Sequence, residues 1–168
     1  GLDEAVARDY LLSGNVNLVV NVLDAAHLER NLYLTMQLLE LQLPMVLALN
    51  MMDQASRRGV DMKVNAFAER LGGPVVPLVA ARFQGIDLLQ DTIARALLHP
   101  KIPYGGITYP DVVEEALHDL TVCIERAGVS QVAPARWLAL TLLESEERQR
   151  QQPVNPELDR LLHHHRRH

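Results

Sequence analysis

The feature that most constrains the fold of this 168-residue chain is a run of apolar residues that ends in a polar one. Residues 45–49 carry no polar side chain, and Asn50 follows them directly. A continuous apolar run of this length, opened by Pro44, is typical of a strand buried on both faces of a parallel sheet. Open sheets of this class bind ligands at the carboxyl ends of their strands. Asn50 and the residues after it are therefore the first place to look for a site.

Strand-like and helix-like segments alternate through the first hundred residues. Apolar or β-branched runs predict strands over residues 16–24, 44–50 and 74–80. Amphipathic patterns predict helices over residues 2–13, 27–41, 62–71 and 86–98, with a loop around Arg57 and Gly59. This alternation predicts an α/β domain in which a parallel sheet is covered by helices on both faces.

Two prolines and two glycines between His99 and Gly106 interrupt the alternation. We expect a domain boundary there, with one domain over residues 1–98 and a second over residues 99–168. The second domain is predicted to be all-helical, with helices over 111–127, from Pro134, and near Pro156. Trp137 is expected to be its core anchor, packed among four leucines: Leu117, Leu120, Leu140 and Leu143.

Composition excludes several classes of partner and site. A formal net charge of -5 and only two lysines argue against nucleic acid as a partner. No apolar run reaches the roughly 18 residues of a membrane span, and the start does not resemble a signal peptide, so this piece is expected to be cytoplasmic. A single cysteine, Cys123, excludes an internal disulfide and is expected to be buried. Because the chain starts without Met inside a helix-like segment, we expect it to be a piece of a larger protein.

Asn50 and Asp53 suggest a site that reads a guanine base. A carboxylate can accept two hydrogen bonds side by side, from the ring N1–H and the exocyclic amine of guanine, and adenine lacks that pair of donors. An amide three residues earlier can bond the other edge of the ring and tie neighbouring loops together. The commoner meaning of this spacing is a turn in which Asp53 caps the next helix.

A second candidate segment, residues 79–82, follows the third predicted strand. Its small side chains, Ala80 and Ala81, would let backbone N–H groups approach the guanine O6. The alternative is a plain strand-to-helix turn.

Other residues that bear reactive or metal-binding side chains form no convincing site. No Ser-His-Asp arrangement stands out, so no catalytic residue is assigned. The histidines near the end, His163, His164, His165 and His168, stand beside two arginines, and a solvated helix end is favoured over a metal site.

Four segments resemble the cytosolic GTPase region of bacterial ferrous iron transport protein B. They are residues 20–35, with the distinctive run Leu-Glu-Arg-Asn-Leu-Tyr-Leu-Thr, and residues 47–53, 76–86 and 136–144. The resemblance implies a partial Ras-like G domain, then a small helical domain that supports GDP binding, then a membrane-embedded iron transport domain. It implies GTP or GDP as ligand, Mg²⁺ in the intact protein, and a location on the cytoplasmic face of the inner membrane. It assigns nucleotide binding to Asn50, Met51, Met52, Asp53, Val79, Ala80, Ala81 and Arg82.

The chain also departs from the usual GTPase pattern. Met51 stands where most GTPases carry Lys, and Ala80 stands where many carry Ser, which should weaken nucleotide affinity. No phosphate-cradling Gly-x-x-x-x-Gly-Lys-Ser/Thr motif, Asp-x-x-Gly metal motif or switch threonine can be identified. Since phosphate and Mg²⁺ contacts dominate phosphoryl transfer, this chain alone is not expected to hydrolyse GTP.

The sequence therefore predicts part of a GTP-binding regulatory region, in a protein that hydrolyses GTP to drive or gate Fe²⁺ uptake. Its expected partners are guanine nucleotide, the transport domain of the same polypeptide and, as an open option, further copies of itself. The alternative is a non-catalytic interaction module in which the sheet is a scaffold and the helical segment binds a partner.

Overall fold

The computed structural model describes residues 2–103, 108–129 and 133–151. The chain divides into two compact units, Gly1–Tyr109 and Pro110–His168. Residues after the last predicted helix of the sheet domain lie with the first unit, since the Met45 N–H donates to the Lys101 carbonyl at 3.3 Å. The units thus divide some ten residues beyond the boundary at 98/99 that the sequence suggested.

The described part of the first unit contains three strands and the helices that connect them. The strands are β1 (Val19–Asp24), β2 (Met45–Asn50) and β3 (Val75–Pro77). The helices are α1 (Leu2–Leu12), α2 (Leu28–Glu40), α3 (Met52–Arg57), α4 (Val64–Leu71) and α5 (Ile86–Leu98). Two single 3₁₀ turns, Ala25–His27 and Ala80–Arg82, follow the carboxyl ends of β1 and β3.

Helix α3 was not predicted, because the sequence interpretation placed a loop there. The helix has six residues, which is too short to show an apolar period. It starts directly after Met51, which adopts a left-handed conformation with φ of 59° at the end of β2.

The three strands form a parallel sheet in the order β1-β2-β3. The register pairs Asp24 with Asn50, so β1 and β2 end side by side. Because parallel strands require crossover connections, α2 follows β1 and the pair α3 and α4 follows β2. All the polar residues that end these strands therefore meet at one edge of the sheet.

Helices cover both faces of the central strand, as predicted. On one face Val46 and Ala48 pack with Val76 and with Ala96 of α5. On the other face the buried Asn21 side chain of β1 donates to Thr35 Oγ1 of α2 at 2.7 Å. Cover is incomplete at β1, where Val20 and Val22 are exposed on the face that α5 covers further along the sheet.

The second unit is helical in its described part. It contains α6 (Asp111–Ala127) and α7 (Ala135–Gln151), and the helix predicted near Pro156 lies outside the described residues. A bidentate ion pair joins the two helices: Arg136 Nη1 and Nη2 lie 3.1 and 3.0 Å from the two oxygens of the Glu114 carboxylate. No helix in the described ranges is both long enough and apolar enough to cross a membrane.

Trp137 is buried, as predicted, with 7% of its surface exposed. Of its four expected neighbours, Leu117 and Leu140 are buried and the others, Leu120 and Leu143, are half-buried. The burial predicted for Cys123 is wrong, because its side chain is exposed. Leu117 and Ile124 define the buried stripe of α6, and Cys123 lies about 100° around the helix from Ile124.

Candidate functional site

The two candidate segments meet at the carboxyl edge of the sheet. Asn50 Oδ1 accepts a hydrogen bond from the Ala80 N–H at 3.0 Å. The Met52 N–H donates to the Leu78 carbonyl at 3.2 Å, which adds a second tie between the same segments. The link between loops that was expected of Asn50 is therefore present.

Asp53 lies in the first turn of α3, with its side chain 22% exposed. It is not the helix cap: Met51 takes that position, and its side chain makes no capping hydrogen bond. The capping role that was the alternative interpretation of Asp53 is therefore wrong. The negative charge is instead stabilised by the positive end of the helix.

Two guanidinium groups face the Asp53 carboxylate. Arg57 Nη2 is 3.7 Å and Arg82 Nη2 is 3.8 Å from Asp53 Oδ2. Both distances exceed hydrogen-bond length, so the carboxylate oxygens keep lone pairs for a ligand.

The segment after β3 is a compact loop held by its own backbone. The N–H of each of Val79 and Gln84 donates to the carbonyl of the other at 3.1 Å, which closes the 3₁₀ turn Ala80–Arg82 into a tight loop. Ala81 is an exposed residue of this loop, and among the residues that the structure describes no backbone acceptor pairs with its N–H. Gly85 completes the loop with φ of 81°, and a Cβ there would collide with the Pro77 carbonyl oxygen. The loop is therefore more elaborate than a plain strand-to-helix turn.

A polar cluster that the sequence interpretation missed lies beside these segments. Asp24 Oδ1 accepts from the Ala26 N–H at 2.8 Å, and Asp24 Oδ2 is 2.9 Å from His27 Nδ1. Arg58 Nη1 is 2.6 Å from His27 Nε2 and donates to the Ala26 carbonyl at 3.0 Å. The hydrogen bond from His27 holds the pKa of Asp24 below its ordinary value, since its effect exceeds that of partial burial. The sequence signal that could have revealed this cluster is a carboxylate, Asp24, at the end of a predicted strand, with His27 three residues later.

Metal-ligand residues are sparse in the structure. Within residues 2–103, 108–129 and 133–151, no group of three His, Cys, Asp or Glu side chains could hold a metal ion. The described residues therefore supply no cluster of side chains that would hold a metal ion without ligands from a bound molecule. The terminal histidines, His163 to His168, lie outside the described residues.

Comparison with known proteins identifies both units. The family described as ferrous iron transport protein B matches residues 1–93. The family described as the FeoB cytosolic helical domain matches residues 109–168. The Fe(2+) transporter FeoB of Salmonella typhimurium is 42% identical over 145 residues, which are 86% of this chain and 18% of that protein. The chain thus spans under a fifth of the length of this relative.

Solved structures with the same arrangement of elements are also FeoB domains. The cytosolic domain of L. pneumophila FeoB is 33% identical, with a TM-score of 0.71 over 86% of this chain and 62% of that one. The mGMPPNP-bound NFeoB of S. thermophilus is 34% identical, with a TM-score of 0.66 over 90% of this chain and 56% of that one. The chain therefore belongs to the ferrous iron transport protein B family, of which it comprises part of the G domain and the cytosolic helical domain.

Proposed function

We propose that the carboxyl edge of the sheet binds the base of a guanine nucleotide. The observation that supports this most is the bond from the Ala80 N–H to Asn50 Oδ1, because it fixes two loops of neighbouring strands against each other. A partly exposed carboxylate, Asp53, and the exposed residue Ala81 lie at the same edge of the sheet as that bond.

Each group has a distinct role toward the base. Asp53 accepts hydrogen bonds from the ring N1–H and the exocyclic amine, and the Ala81 N–H donates to O6. Adenine has a ring acceptor, N1, where guanine has N1–H, and an amine where guanine has O6. It therefore pairs with neither the Asp53 carboxylate nor the Ala81 N–H, and leaving both groups unpaired costs binding free energy. Met51 is 37% exposed and supplies an apolar cover for the ring in place of the usual lysine. The flanking residues of both segments, Met52, Val79 and Arg82, line the site.

The nucleotide is proposed to be GTP and its product GDP. A relative of this chain has been solved with mGMPPNP bound, which supports a guanine nucleotide here. Phosphate and Mg²⁺ contacts carry most of the binding and catalysis in phosphoryl transfer. Since this chain contains no phosphate-loop motif, hydrolysis belongs to the intact protein, and the 168 residues alone are expected to show none.

In the intact protein, GTP binding and hydrolysis would drive or gate Fe²⁺ uptake through a transport domain of the same polypeptide. The names of the curated relatives support iron as the transported ion. The helical unit would carry the nucleotide-dependent change toward that domain, at the cytoplasmic face of the bacterial inner membrane.

Replacement of Asp53 by Asn tests the proposal. In the intact protein, Asp53→Asn should weaken GTP binding and favour the xanthosine nucleotide, whose C2 carbonyl accepts from the new amide. A site built on paired polar groups can reject a mismatched ring by up to about 10⁴-fold. Affinities for both nucleotides are measured by calorimetry.

Asp61→Asn is the matched control, because Asp61 is an exposed carboxylate in the loop after α3. The control should bind GTP as the wild type does. An Asp53→Asn protein that keeps wild-type affinity for GTP and gains none for the xanthosine nucleotide removes Asp53 from the site.

A further inference from the structure

We propose that His27 and Arg58 are positioning residues for the guanine site, and that the site loses affinity when His27 is protonated. The inference rests on the proposed function, since it concerns how the helix that carries Asp53 is held. Asp24, His27 and Arg58 form one hydrogen-bonded series at the carboxyl edge of the sheet, with separations of 2.9 and 2.6 Å.

The partners of His27 fix where its proton lies. A carboxylate only accepts hydrogen bonds, so Nδ1, which faces Asp24 Oδ2, carries the proton. A guanidinium only donates, so Nε2, which faces Arg58 Nη1, offers its lone pair. The ring is therefore neutral when both bonds are made.

A second proton on His27 breaks one of these bonds. It occupies Nε2, and an N–H there meets a guanidinium that has no acceptor. Two positive groups then face each other across the distance of the former bond. Of the residues bonded to the ring, Asp24 at the end of β1 favours this proton and Arg58, after α3, opposes it. The first turn of α2 carries one charge of each sign, Glu29 and Arg30, both exposed, and its Asn31 amide donates to the His27 carbonyl oxygen at 3.0 Å.

Arg58 connects this event to Asp53. It ends α3, where its N–H donates to the Gln54 and Ala55 carbonyls at 3.1 Å. Its side chain anchors that end of the helix to the turn Ala25–His27. The other end of α3 is anchored by the Met52 N–H on Leu78. Loss of the His27 bond leaves the Arg58 side chain tied to this turn, among the described hydrogen bonds, only through the Ala26 carbonyl. This loosens the end of a six-residue helix that carries Asp53 on its first turn, while Ala55 stays buried.

The position of His27 suits a positioning role more than a packing role. Its side chain is 43% exposed, so solvent protons reach the ring. Removal of an exposed ring leaves no cavity in the core, so the main expected effect is on the geometry of α3, beside the loss of the stabilising bond to Asp24.

The test measures GDP affinity of the intact protein at about pH 7.5 and about pH 5.5, near the two ends of the range in which an imidazole ordinarily changes charge. Three proteins are compared: wild type, His27→Gln, whose side-chain oxygen can still accept from Arg58 but does not titrate, and His27→Ala, which loses both bonds. Affinities are expressed relative to His27→Gln, so that titration of the GDP phosphates cancels.

At the higher pH the wild type should match His27→Gln, and His27→Ala should bind roughly two- to tenfold more weakly, the equivalent of one net hydrogen bond. At the lower pH the wild type should fall toward His27→Ala. His99→Gln, at an exposed histidine of the same unit, is the control and should behave as wild type. A wild type that keeps its ratio to His27→Gln at both pH values, or a His27→Ala protein with full affinity, overturns the proposal.

A nucleotide-free measurement separates this inference from the proposed function. In the 168-residue chain, the NMR signal of the Asp53 amide should shift with the same midpoint as the His27 ring. In Arg58→Met that shift should disappear, because the link between ring and helix is cut. If Asp53→Asn leaves GTP binding intact while this coupling is observed, the proposed function fails and the mechanical link stands. If the chemical shift of the Asp53 amide does not change when the His27 ring changes charge, the positioning role fails.

Discussion

The Asp24 carboxylate at the end of β1 makes two hydrogen bonds, one with each oxygen. One of its oxygens accepts from the Ala26 N–H, and the other pairs with His27 Nδ1. The His27 hydrogen bond holds the pKa of Asp24 below its ordinary value of 3.8. A carboxyl group whose pKa is lower in the folded than in the unfolded state stabilises the fold above the unfolded value. That stabilisation is lost as the pH falls through the folded value.

Asp24→Asn should therefore lower the melting temperature at neutral pH, and the difference from wild type should shrink as the pH falls below 3.8. The asparagine can still accept from the Ala26 N–H but carries no charge to hold His27. Melting curves by circular dichroism at a series of pH values measure the difference. Asp61→Asn, which removes an exposed carboxylate, should follow the wild type at each pH. A difference between Asp24→Asn and wild type that is the same at every pH contradicts the role of the charge.

Residue contacts were predictable where they depended on strand order alone. The link from Asn50 to the loop of Ala80 follows from placing two strand ends side by side, and it is present. The contact between His27 and Arg58 spans 31 residues and depends on where α3 ends. The sequence shows no periodicity for that helix, so the contact between His27 and Arg58 could not be predicted from it.

Elements were predicted well where their apolar pattern was long. The helix predictions over 86–98 and 111–127 agree with α5 and α6 to the residue, because both have broad apolar faces. Strand β1 begins at Val19 and not at residue 16, and β3 covers only Val75–Pro77. Strand ends depend on where a neighbouring strand stops offering hydrogen bonds, and the sequence of one strand does not contain that information.

At the level of elements, the stability of the helical unit is expected to depend on Trp137. Trp137→Ala should cost about 3–5 kcal/mol, because it removes a large buried side chain from a small core. The loss could unfold α6 and α7 while the sheet remains folded, since local units open independently. Far-ultraviolet circular dichroism during thermal unfolding detects a new low-temperature transition.

Leu142→Ala is the matched control for this variant, because Leu142 lies on the same helix and is 50% exposed. It should melt as the wild type does. A Trp137→Ala melting curve superimposable on that of the wild type contradicts a core role for Trp137. It favours the interaction-module alternative, in which the surface that carries Trp137 binds a partner.

For the whole molecule, the outer edge of β1 is the part of the described sheet where backbone groups lack a strand partner and apolar side chains are exposed. Within the described residues β1 pairs only with β2, and its Val19 N–H donates toward that neighbour, to Pro44. Because N–H groups alternate in direction along a strand, those of Val20 and Val22 point away from the sheet. Their side chains are also exposed, by 38% and 58%. An apolar, unpaired strand edge is unfavourable in a soluble protein and is normally covered.

The chain corresponds to 62% of the L. pneumophila FeoB cytosolic domain, so a substantial part of that domain has no counterpart here. We expect that missing part of the G domain to pair with β1 in the intact protein and to cover Val20 and Val22. Hydrogen exchange should then slow at these two amides by at least roughly a hundredfold, which equals an opening free energy of about 2.7 kcal/mol. The Leu47 N–H, already bonded to the Pro74 carbonyl at 3.0 Å, is the internal control and should exchange slowly in both forms. Equal rates at Val20 and Val22 in the 168-residue chain and the intact protein would show that β1 is a true edge, and that the rest of the G domain joins the sheet elsewhere.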